Sequence, residues 1–435
     1  MIIDERARWM GFWVLDRLRG GKVRKSYDEI RDAYRRGTSR RVTEKKLRKI
    51  ISHAVRTTEF YSRFDENVSL TDLPIVNKDT YRAGYDAFLS SDFSDKKGCR
   101  IMCTSGSTGT PLQVVQDPDK IAKDTADGIF FGAMAGYYIG MRMAFIRVWV
   151  NNVRKSALRL YAENMIMAES ADLSDDAIRK MLDEWTSKHV KVIVGYASAL
   201  SEICKFIDRT GYDVSRMTVR SIIPISEAMP AGIRERLAEL FDCPVQSWYS
   251  NEENGIMGIQ PRDGDSYYID TANYYYEILK LDSDEPAAPG ELGRIVITDL
   301  NNRAMPMLRY DNGDLASYEL TDYGTRYRLV LKELYGRRSD IIYDTKGGAL
   351  TPFVITNNLW DVEGVRQFQF IQTDVKNYTV RLNADKEKID EADIMRRIGH
   401  YFGDDAVFTI EYVDEIPVLN SGKRKYIMNL CEKYK

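Results

Sequence analysis

The chain has 435 residues, with 63 Lys and Arg against 65 Asp and Glu, so its formal net charge is only −2. The length favours two or three folded units, and 44% hydrophobic with 29% charged residues is typical of a globular protein. Near-neutral charge gives no global attraction to nucleic acid or to an anionic membrane, although a local basic patch remains compatible with it. No apolar run approaches the ~20 residues that span a bilayer.

The cysteine and histidine content argues against a structural zinc site. The 5 cysteines and 3 histidines show no spacing typical of structural zinc. An odd number of cysteines in a long chain fits a reduced, cytoplasmic protein better than a disulfide scaffold.

Residues 1–65 are predicted to form helices. The apolar stretch Trp9–Leu15 is similar to the core of a secretion signal, but acidic residues flank it and no small-residue cleavage site follows, so it predicts a helix. Thr43 is predicted to cap a second helix, in which one apolar stripe contains Leu47, Ile50, Ile51 and Ala54.

From about residue 98 the pattern alternates between strands and helices, which predicts βαβ units and a largely parallel sheet. The expected strands are Met143–Val150, Lys191–Tyr196, Ser221–Ile225 and Val245–Tyr249. The expected helices are one capped by Ser174 with Ile178, Met181, Leu182 and Trp185 on one face, one over Ala199–Ile207, and one that contains Ile233, Leu237 and Leu240. Residues 265–335 are β-rich, with strand-like segments Tyr267–Leu279, Arg294–Thr298 and Arg326–Leu331. After a boundary near Arg338, the remaining residues predict a small α+β domain with strands at Phe368–Gln372, Tyr378–Leu382 and Val407–Val413 and a helix from Asp390 to Gly403.

The densest local signal is a hydroxyl-rich loop that directly follows the apolar residues Ile101–Cys103. It contains Thr104, Ser105, Gly106, Ser107, Thr108 and Gly109 and ends at Thr110-Pro111. Its glycines let the backbone approach a ligand, and its N–H and hydroxyl groups can bind an anion. Thr110 stands where a P-loop would carry lysine, so the P-loop ATPase reading is disfavoured. The alternative is a flexible Ser/Thr/Gly surface turn.

Several further segments are informative because of the order in which they occur along the chain. They are Trp248-Tyr-Ser-Asn-Glu-Glu253, Gly290-Glu-Leu-Gly-Arg-Ile-Val-Ile-Thr298 with Pro306-Met-Leu-Arg-Tyr-Asp-Asn-Gly-Asp314, Gly336-Arg-Arg-Ser-Asp340 and Pro417-Val-Leu-Asn-Ser-Gly-Lys423. With the hydroxyl loop, they resemble the ordered motifs of the adenylate-forming (AMP-binding) ligase superfamily, and within it the phenylacetate–CoA ligase and capsule-biosynthesis (CapK-like) group. The helical start, with Phe60-Tyr-Ser62 and Asp72-Leu-Pro74, is also similar to this group.

The resemblance implies an α/β fold in two parts. Residues 1–338 would form a large adenylate-forming domain with mixed sheets and the β-rich subdomain 265–335. Residues 339–435 would form a small mobile α+β domain that carries the catalytic lysine.

The implied reaction uses ATP and Mg²⁺ to convert a small carboxylic acid into an acyl-adenylate and pyrophosphate, and then passes the acyl group to an acceptor, with CoA favoured. An amine or a carrier protein is the alternative acceptor. A non-catalytic nucleotide-binding relative is the alternative class, which the presence of Glu253, Asp314 and Lys423 disfavours. No nucleic-acid partner and no membrane span are expected.

The resemblance also implies individual roles. Thr104–Gly109 would donate to the β- and γ-phosphates, Glu253 would hold Mg²⁺, Asp314 would accept from the ribose hydroxyls and Arg337 would reach the ribose or a phosphate. Ser226, Glu227, Ala228 and Tyr249 would contact adenine, and Lys423 would lie between the carboxylate and the α-phosphate. The ordinary alternatives are a solvated loop acid for Glu253, a turn-stabilising acid for Asp314, a surface arginine for Arg337, core packing for Tyr249 and a solvated charge run around Lys423.

Two positions depart from the superfamily pattern. Leu112 stands where many members have lysine, which leaves the γ-phosphate charge without its usual partner, and Ser339 stands where many relatives have an acidic hinge residue. By analogy with the family, the acyl group is expected near Tyr137, Tyr138, Gly195, Tyr196 and Ala197, where the aromatic side chains would suit an aryl or bulky acid.

Overall fold

The computed structural model describes residues 4–103, 112–149, 155–262, 264–337, 341–350, 353–359, 362–417 and 425–434. The chain begins with helices, as predicted: α1 Glu5–Leu18, α2 Lys22–Arg36, α3 Arg40–Thr57, α4 Lys78–Ala83 and α5 Tyr85–Phe88. The prediction that Thr43 caps a helix is wrong. The short strand β1, Thr38–Ser39, leads directly into α3, so the Ser39 hydroxyl caps it by accepting from the Val42 N–H. Within the described residues, no helix is both long and apolar enough to cross a bilayer.

A four-stranded parallel sheet forms the centre of the α/β part, which confirms the prediction of βαβ units around a parallel sheet. Its strand order is β5-β4-β6-β7. All residues of β6 are buried, as expected for a strand covered on both faces by helices. The strands are β4 Met143–Arg147, β5 Met165–Glu169, β6 Val192–Tyr196 and β7 Ser221–Ile225, and the helices are α6 Pro118–Met134, α7 Ala157–Glu163, α8 Asp175–Ser187, α9 Ala197–Thr210 and α10 Ala231–Phe241.

The predicted strand Val245–Tyr249 is wrong both in its start and in its sheet. Val245 makes only an isolated bridge to Ile222. The strand begins at Trp248, and it pairs antiparallel with its successor in a different sheet. A strand joins the sheet to which its backbone N–H and carbonyl groups form hydrogen bonds, and the apolar pattern of its side chains does not determine that choice.

That second sheet has eight strands in all and contains the predicted β-rich region. Its path is β11-β12-β13-β14-β10-β9-β8, with β1 beside β14. The predicted strand Tyr267–Leu279 is divided by a turn at Asp270–Asn273. The strands are β8 Trp248–Asn251, β9 Gly255–Ile259, β10 Tyr267–Ile269, β11 Tyr274–Leu279, β12 Gly293–Asp299, β13 Tyr310–Asp322 and β14 Arg326–Arg337.

This sheet curls on itself. Three strands separate β8 from β13 in the pairing order, yet the Tyr249 hydroxyl on β8 lies 2.9 Å from an Asp314 carboxylate oxygen on β13. A buried apolar cluster that includes Tyr274, Ile295 and Leu331 fills the concave side. Curling therefore brings residues that are distant in both sequence and strand order to the same place.

A short hairpin, β2 Arg100–Cys103 and β3 Gln113–Gln116, brackets the hydroxyl loop, with Cys103 opposite Gln113. The C-terminal part forms a four-stranded sheet in the order β19-β18-β17-β20, packed on two helices. The helix predicted from Asp390 to Gly403 begins after its predicted cap, Asp390, but it ends at Gly399 rather than at Gly403. The elements are β15 Ile342–Tyr343, β16 Ala349–Leu350, α11 Phe353–Leu359, β17 Val365–Gln372, β18 Asn377–Ala384, α12 Glu391–Gly399, β19 Val407–Tyr412 and β20 Ile427–Asn429.

Candidate active site

Tyr249 and Asp314, predicted from separate motifs, form one hydrogen-bonded unit. The Tyr249 hydroxyl donates to Asp314 Oδ2 over 2.9 Å, and Asn312 Nδ2 donates both to that hydroxyl over 2.7 Å and to Asp314 Oδ2 over 3.2 Å. Burial and the Asp314 carboxylate raise the pKa of Tyr249 well above its usual value. The tyrosine therefore remains a donor at neutral pH, and the Asp314 carboxylate is held in a fixed position.

Asn312-Gly313 is a pair typical of turns, but here it lies inside β13, so Asp314 is presented from within a strand. Asp314 belongs to β13 and faces Arg337 of β14 in the pairing register. Gly313 has a φ of 82°, which a side chain would disfavour. The Asn312 side chain accepts from the Asp314 N–H over 3.0 Å. This local kink turns the Asp314 carboxylate towards Tyr249 without ending the strand.

Glu253 forms a second cluster, immediately after β8. It is 7% exposed. Its Oε1 accepts from the Tyr310 hydroxyl over 3.2 Å and lies 3.3 Å from Lys78 Nζ. Burial, followed by the Glu253 carboxylate, raises the pKa of Tyr310 well above its usual value, so this hydroxyl also remains a donor.

Sequence reasoning missed Lys78. Asn77 caps α4 with a reciprocal pair of bonds to Thr80, and this capping box begins the helix at Lys78 and fixes the backbone from which its ammonium reaches Glu253. The available signal was the Asn77-Lys78-Asp79-Thr80 cap pattern just after Asp72-Leu-Pro74. Leu112, at the position where many superfamily members carry lysine, is buried in an apolar cluster instead.

The Glu253 cluster fits Mg²⁺ only when other ligands complete the site. Among the described residues, no group of three or more His, Cys, Asp and Glu side chains could hold a metal ion. Mg²⁺ is commonly bound through one or two carboxylates while phosphates and water supply the remaining ligands. A single buried carboxylate such as Glu253 therefore suits a metal ion that arrives with a triphosphate.

Ser226, Glu227 and Ala228 follow the carboxyl end of β7, the edge of a parallel sheet at which ligands usually bind. Ser226 has a φ of 69°, an uncommon conformation for a residue with a side chain. Glu227 Oε2 accepts from the Ser198 N–H at the start of α9 over 2.9 Å, while its buried Oε1 has no hydrogen-bond partner within the described residues. Glu227 thus has a structural contact and one oxygen left for another donor.

The residues expected around the acyl group fall into two sets, at opposite edges of the parallel sheet. Tyr137 and Tyr138 precede β4, at the amino edge of the parallel sheet, whereas Tyr196 ends β6 at the carboxyl edge. A five-residue strand separates these edges by about 13 Å. Instead, Arg147 ends β4 on the same side as Tyr196, and its Nη2 lies 3.9 Å from Glu252 Oε1.

Several predicted site residues lie outside the described residues. These are the hydroxyl-loop residues Thr104–Gly109 and the C-terminal Lys423. The described hairpin nevertheless fixes where the loop begins and ends. Gln116, on β3, donates from Nε2 to the Glu253 carbonyl oxygen over 3.4 Å, so the hairpin contacts the segment that carries Glu253.

The two clusters together suit a particular kind of ligand. Asp314 offers a fixed, negatively charged acceptor for hydroxyl groups, and Lys78 with Glu253 places a cation beside a buried carboxylate. Hydrogen bonds to charged groups are about twice as strong as neutral ones. A ligand with hydroxyls at one end and several negative charges at the other would satisfy both clusters.

Comparisons with known proteins agree with this fold. A family model described as the CapK C-terminal domain matches residues 342–430. Protein CapK of Staphylococcus aureus is 22% identical over 427 residues, covering 93% of this chain and 92% of that protein. The phenylacetate-coenzyme A ligase of Thermus thermophilus is 22% identical over 330 residues, covering 70% and 71%. The crystal structure of 2-hydroxyisobutyryl-CoA ligase in the postadenylation state has a TM-score of 0.70 at 13% identity and 90% coverage of both chains.

The architecture is that of the adenylate-forming enzymes, a large N-terminal α/β domain followed by a smaller C-terminal domain. At a finer level, residues 342–430 match the CapK C-terminal domain, and the chain as a whole is similar to CapK and to phenylacetate-coenzyme A ligase. The boundary near Arg338 stays a prediction, because residues 338–340 lie outside the described part of the chain.

Proposed function

We propose that this chain is an acid–CoA ligase that works through an acyl-adenylate. In the first step a carboxylate oxygen attacks the α-phosphorus of ATP, and the bond to pyrophosphate breaks. In the second step the thiol of CoA displaces AMP and forms a thioester. A free carboxylate is a poor acyl donor because oxide would have to leave, whereas AMP is a good leaving group.

The observation that carries this proposal is the Tyr249–Asp314 unit beside the Lys78–Glu253 pair. Asp314 would accept from the ribose hydroxyls, and Arg337, its partner in the strand register, would add a donor to the ribose or a phosphate. Tyr249 holds the carboxylate in orientation. The segment Ser226–Ala228 would lie against the adenine, with Glu227 Oε1 accepting from the exocyclic amine.

The phosphate end needs positive charge, because two anions must meet during adenylation. Lys78 would supply the cation that is missing at Leu112, and its position beside Glu253 supports that role. Mg²⁺ bound by Glu253 and the triphosphate would neutralise charge on the phosphates. The hydroxyl loop Thr104–Gly109 would donate N–H and hydroxyl groups to the β- and γ-phosphates.

Lys423 is proposed to stabilise the charge that develops on the α-phosphate during adenylation. The family resemblance of its loop supports this role, and the small domain would withdraw the lysine before acyl transfer. CoA is the preferred acceptor because the related 2-hydroxyisobutyryl-CoA ligase has been crystallised with its acyl-AMP and CoA. The same fold family contains the anthranilate CoA ligase AuaEII, crystallised with anthranoyl-AMP.

An ATP–pyrophosphate exchange screen over a panel of carboxylic acids tests the first step. Exchange that depends on one class of acid is expected, and Asp314→Ala should abolish most of it. Asp322→Ala is the matched control, because Asp322 lies on the same strand but pairs on the surface with Arg40. No exchange with any acid, or equal exchange in both variants, would contradict the proposal.

The acceptor is tested separately, with the acid found in that screen. Thioester formation is followed after addition of CoA, and amide or carrier-protein acylation is followed with amines and a phosphopantetheinylated carrier. CoA-dependent AMP release is expected. If AMP release instead requires an amine or a carrier protein, the proposed adenylation step stands, but CoA is not the acceptor.

A further inference from the structure

Helix α1 presents an apolar face to solvent. Residues on the outer side of the helix recur with helical spacing, and each retains a large exposed fraction: Met10 54%, Val14 59%, Leu15 45% and Leu18 79%, with Trp9 at 46% on the flank. Ala7 and Gly11 complete the same side and are also exposed. A surface helix of a globular protein normally turns its apolar stripe inwards, so this orientation is unusual.

The opposite side of α1 is firmly attached to the protein. The Asp16 carboxylate accepts from the Val23 and Arg24 N–H groups and thereby caps α2. The Trp13 ring packs edge-on against Tyr27, and the Arg8 guanidinium donates to the Ala162 carbonyl. The outward apolar face is therefore held in place by specific contacts on the inward one.

Positive charge surrounds this face. Residues 4–25 contain seven Arg and Lys against three Asp and Glu, although the whole chain has a net charge of −2. Among the described residues, Arg6, Arg17, Arg19 and Lys25 have no carboxylate within ion-pair distance, in contrast to Lys22 and Arg24. This is the local basic patch that an overall charge near zero conceals.

A groove of about 900 Å³ runs beside α1 and is continuous with the patch. Its outer wall carries the two tryptophans Trp9 and Trp13 and the cations Arg17, Arg24 and Lys25, and its lining also includes the acids Asp16, Asp28, Glu29 and Asp32. Aromatic rings and cations side by side are typical of surfaces that sit at the boundary between lipid chains and headgroups.

We propose that α1 and its basic flank dock the protein reversibly onto an anionic phospholipid surface. The helix would lie in the plane of the interface over its length of about 21 Å, with Met10, Val14 and Leu18 inserted and the flanking cations at the headgroup phosphates. The positive charge around α1 favours an anionic bilayer over a second copy of the chain as the binding partner. A second copy of the chain would bring two basic patches together, whereas an anionic bilayer offers both negative charge and an apolar interior.

Vesicle co-sedimentation of the full chain tests the proposal. Vesicles of phosphatidylcholine with 30 mol% phosphatidylglycerol should bind the protein, pure phosphatidylcholine should bind it far less, and high salt should release it. Val14→Ser with Leu18→Ser should weaken binding by about ten-fold or more, from the loss of buried apolar surface. Arg17→Gln with Arg19→Gln should weaken it by roughly 25-fold, at about five-fold for each cation.

The matched control is Val407→Ser with Leu430→Ser, at exposed apolar positions of the C-terminal domain. It should bind vesicles like the unaltered protein, and all three variants should keep the unaltered melting temperature and rate of pyrophosphate exchange. No binding to the anionic vesicles, or equal binding by the Val14/Leu18 variant, would overturn the proposal. So would a dimer in analytical ultracentrifugation that this variant dissociates, because the apolar face would then pack against a second copy.

Discussion

Replacing Asp314 by alanine should weaken ATP binding while leaving the affinity for the carboxylic acid almost unchanged. In the structure the Asp314 carboxylate is held by Tyr249 at 2.9 Å and by Asn312 at 3.2 Å. The proposed partners of this carboxylate are the ribose hydroxyls, which ATP carries and the carboxylic acid does not. Hydrogen bonds to a charged group contribute about 1.5–3 kcal/mol, which corresponds to a loss of about one to two decades in ATP affinity.

The same substitution should also lower stability, for a different reason. The Tyr249 side chain is 6% exposed, so its hydroxyl would lose an acceptor in a buried place, at a cost of about 1–3 kcal/mol in the free energy of unfolding. Tyr249→Phe separates the two effects, because it removes the hydroxyl and leaves the Asp314 charge. We expect it to alter ATP affinity by less than Asp314→Ala does.

Calorimetric titration with ATP, the KM for the acid in pyrophosphate exchange and the melting temperature measure these quantities. Asp314→Asn is the conservative control, since it keeps the shape and an acceptor for Tyr249. Two results would refute the reasoning. One is an equal loss of affinity for ATP and acid, which would indicate a damaged kink at Asn312-Gly313. The other is a loss in Tyr249→Phe as large as that in Asp314→Ala.

The remaining predictions concern charge. Glu253→Gln should raise the Mg²⁺ concentration needed for pyrophosphate exchange, since it removes the charge of the proposed metal ligand, and an unchanged Mg²⁺ titration would remove Glu253 from the site. Lys78→Gln should raise the KM for ATP by about ten-fold or more; an effect confined to the melting temperature would leave Lys78 a structural role. Lys423→Ala should slow adenylation by about 10²–10³ but spare thioester formation from a synthetic acyl-adenylate, and equal damage to both steps would defeat its proposed role. Glu29, on α2, forms ion pairs with Lys46 and Lys123. Burial alone would raise the pKa of Glu29, but these two ammonium groups lower it from 4.5 to about 2. The contribution of Glu29 to the free energy of unfolding should therefore be present above pH 4.5 and be lost as the pH falls towards 2. Measured by urea unfolding, the free energy of unfolding of Glu29→Gln should fall less over this pH range than that of the unaltered protein.

The placement of Lys78 has a consequence for the reaction. Its ammonium and the Tyr310 hydroxyl both contact Glu253 Oε1. If Glu253 binds Mg²⁺ as proposed, the metal ion would replace Lys78 as its partner, and the ammonium would turn towards a phosphate. The helix cap at Asn77 keeps the lysine backbone fixed while the long side chain moves.

Local patterns in the sequence determined much of the fold. Continuous apolar runs located β6 and β7 almost to the residue, because a strand buried between helices needs an apolar side chain on both faces. Helical spacing placed Ile178, Met181, Leu182 and Trp185 on the buried face of α8. The ordered motifs indicated the adenylate-forming family before any contact was known, since such motifs are short, contiguous and carry their own turn chemistry.

Tertiary structure alone decided which of these residues meet. Sequence could not place Trp248 in the antiparallel sheet, because period-two alternation does not specify a pairing partner. Nor could it bring Tyr249 to Asp314, which depends on the curl accumulated over the strands between β8 and β13. The same limit separated Tyr137 from Tyr196 and concealed Lys78 beside Glu253. Contacts between distant segments arise from the summed twist and packing of whole sheets, and no single segment of the chain encodes that sum.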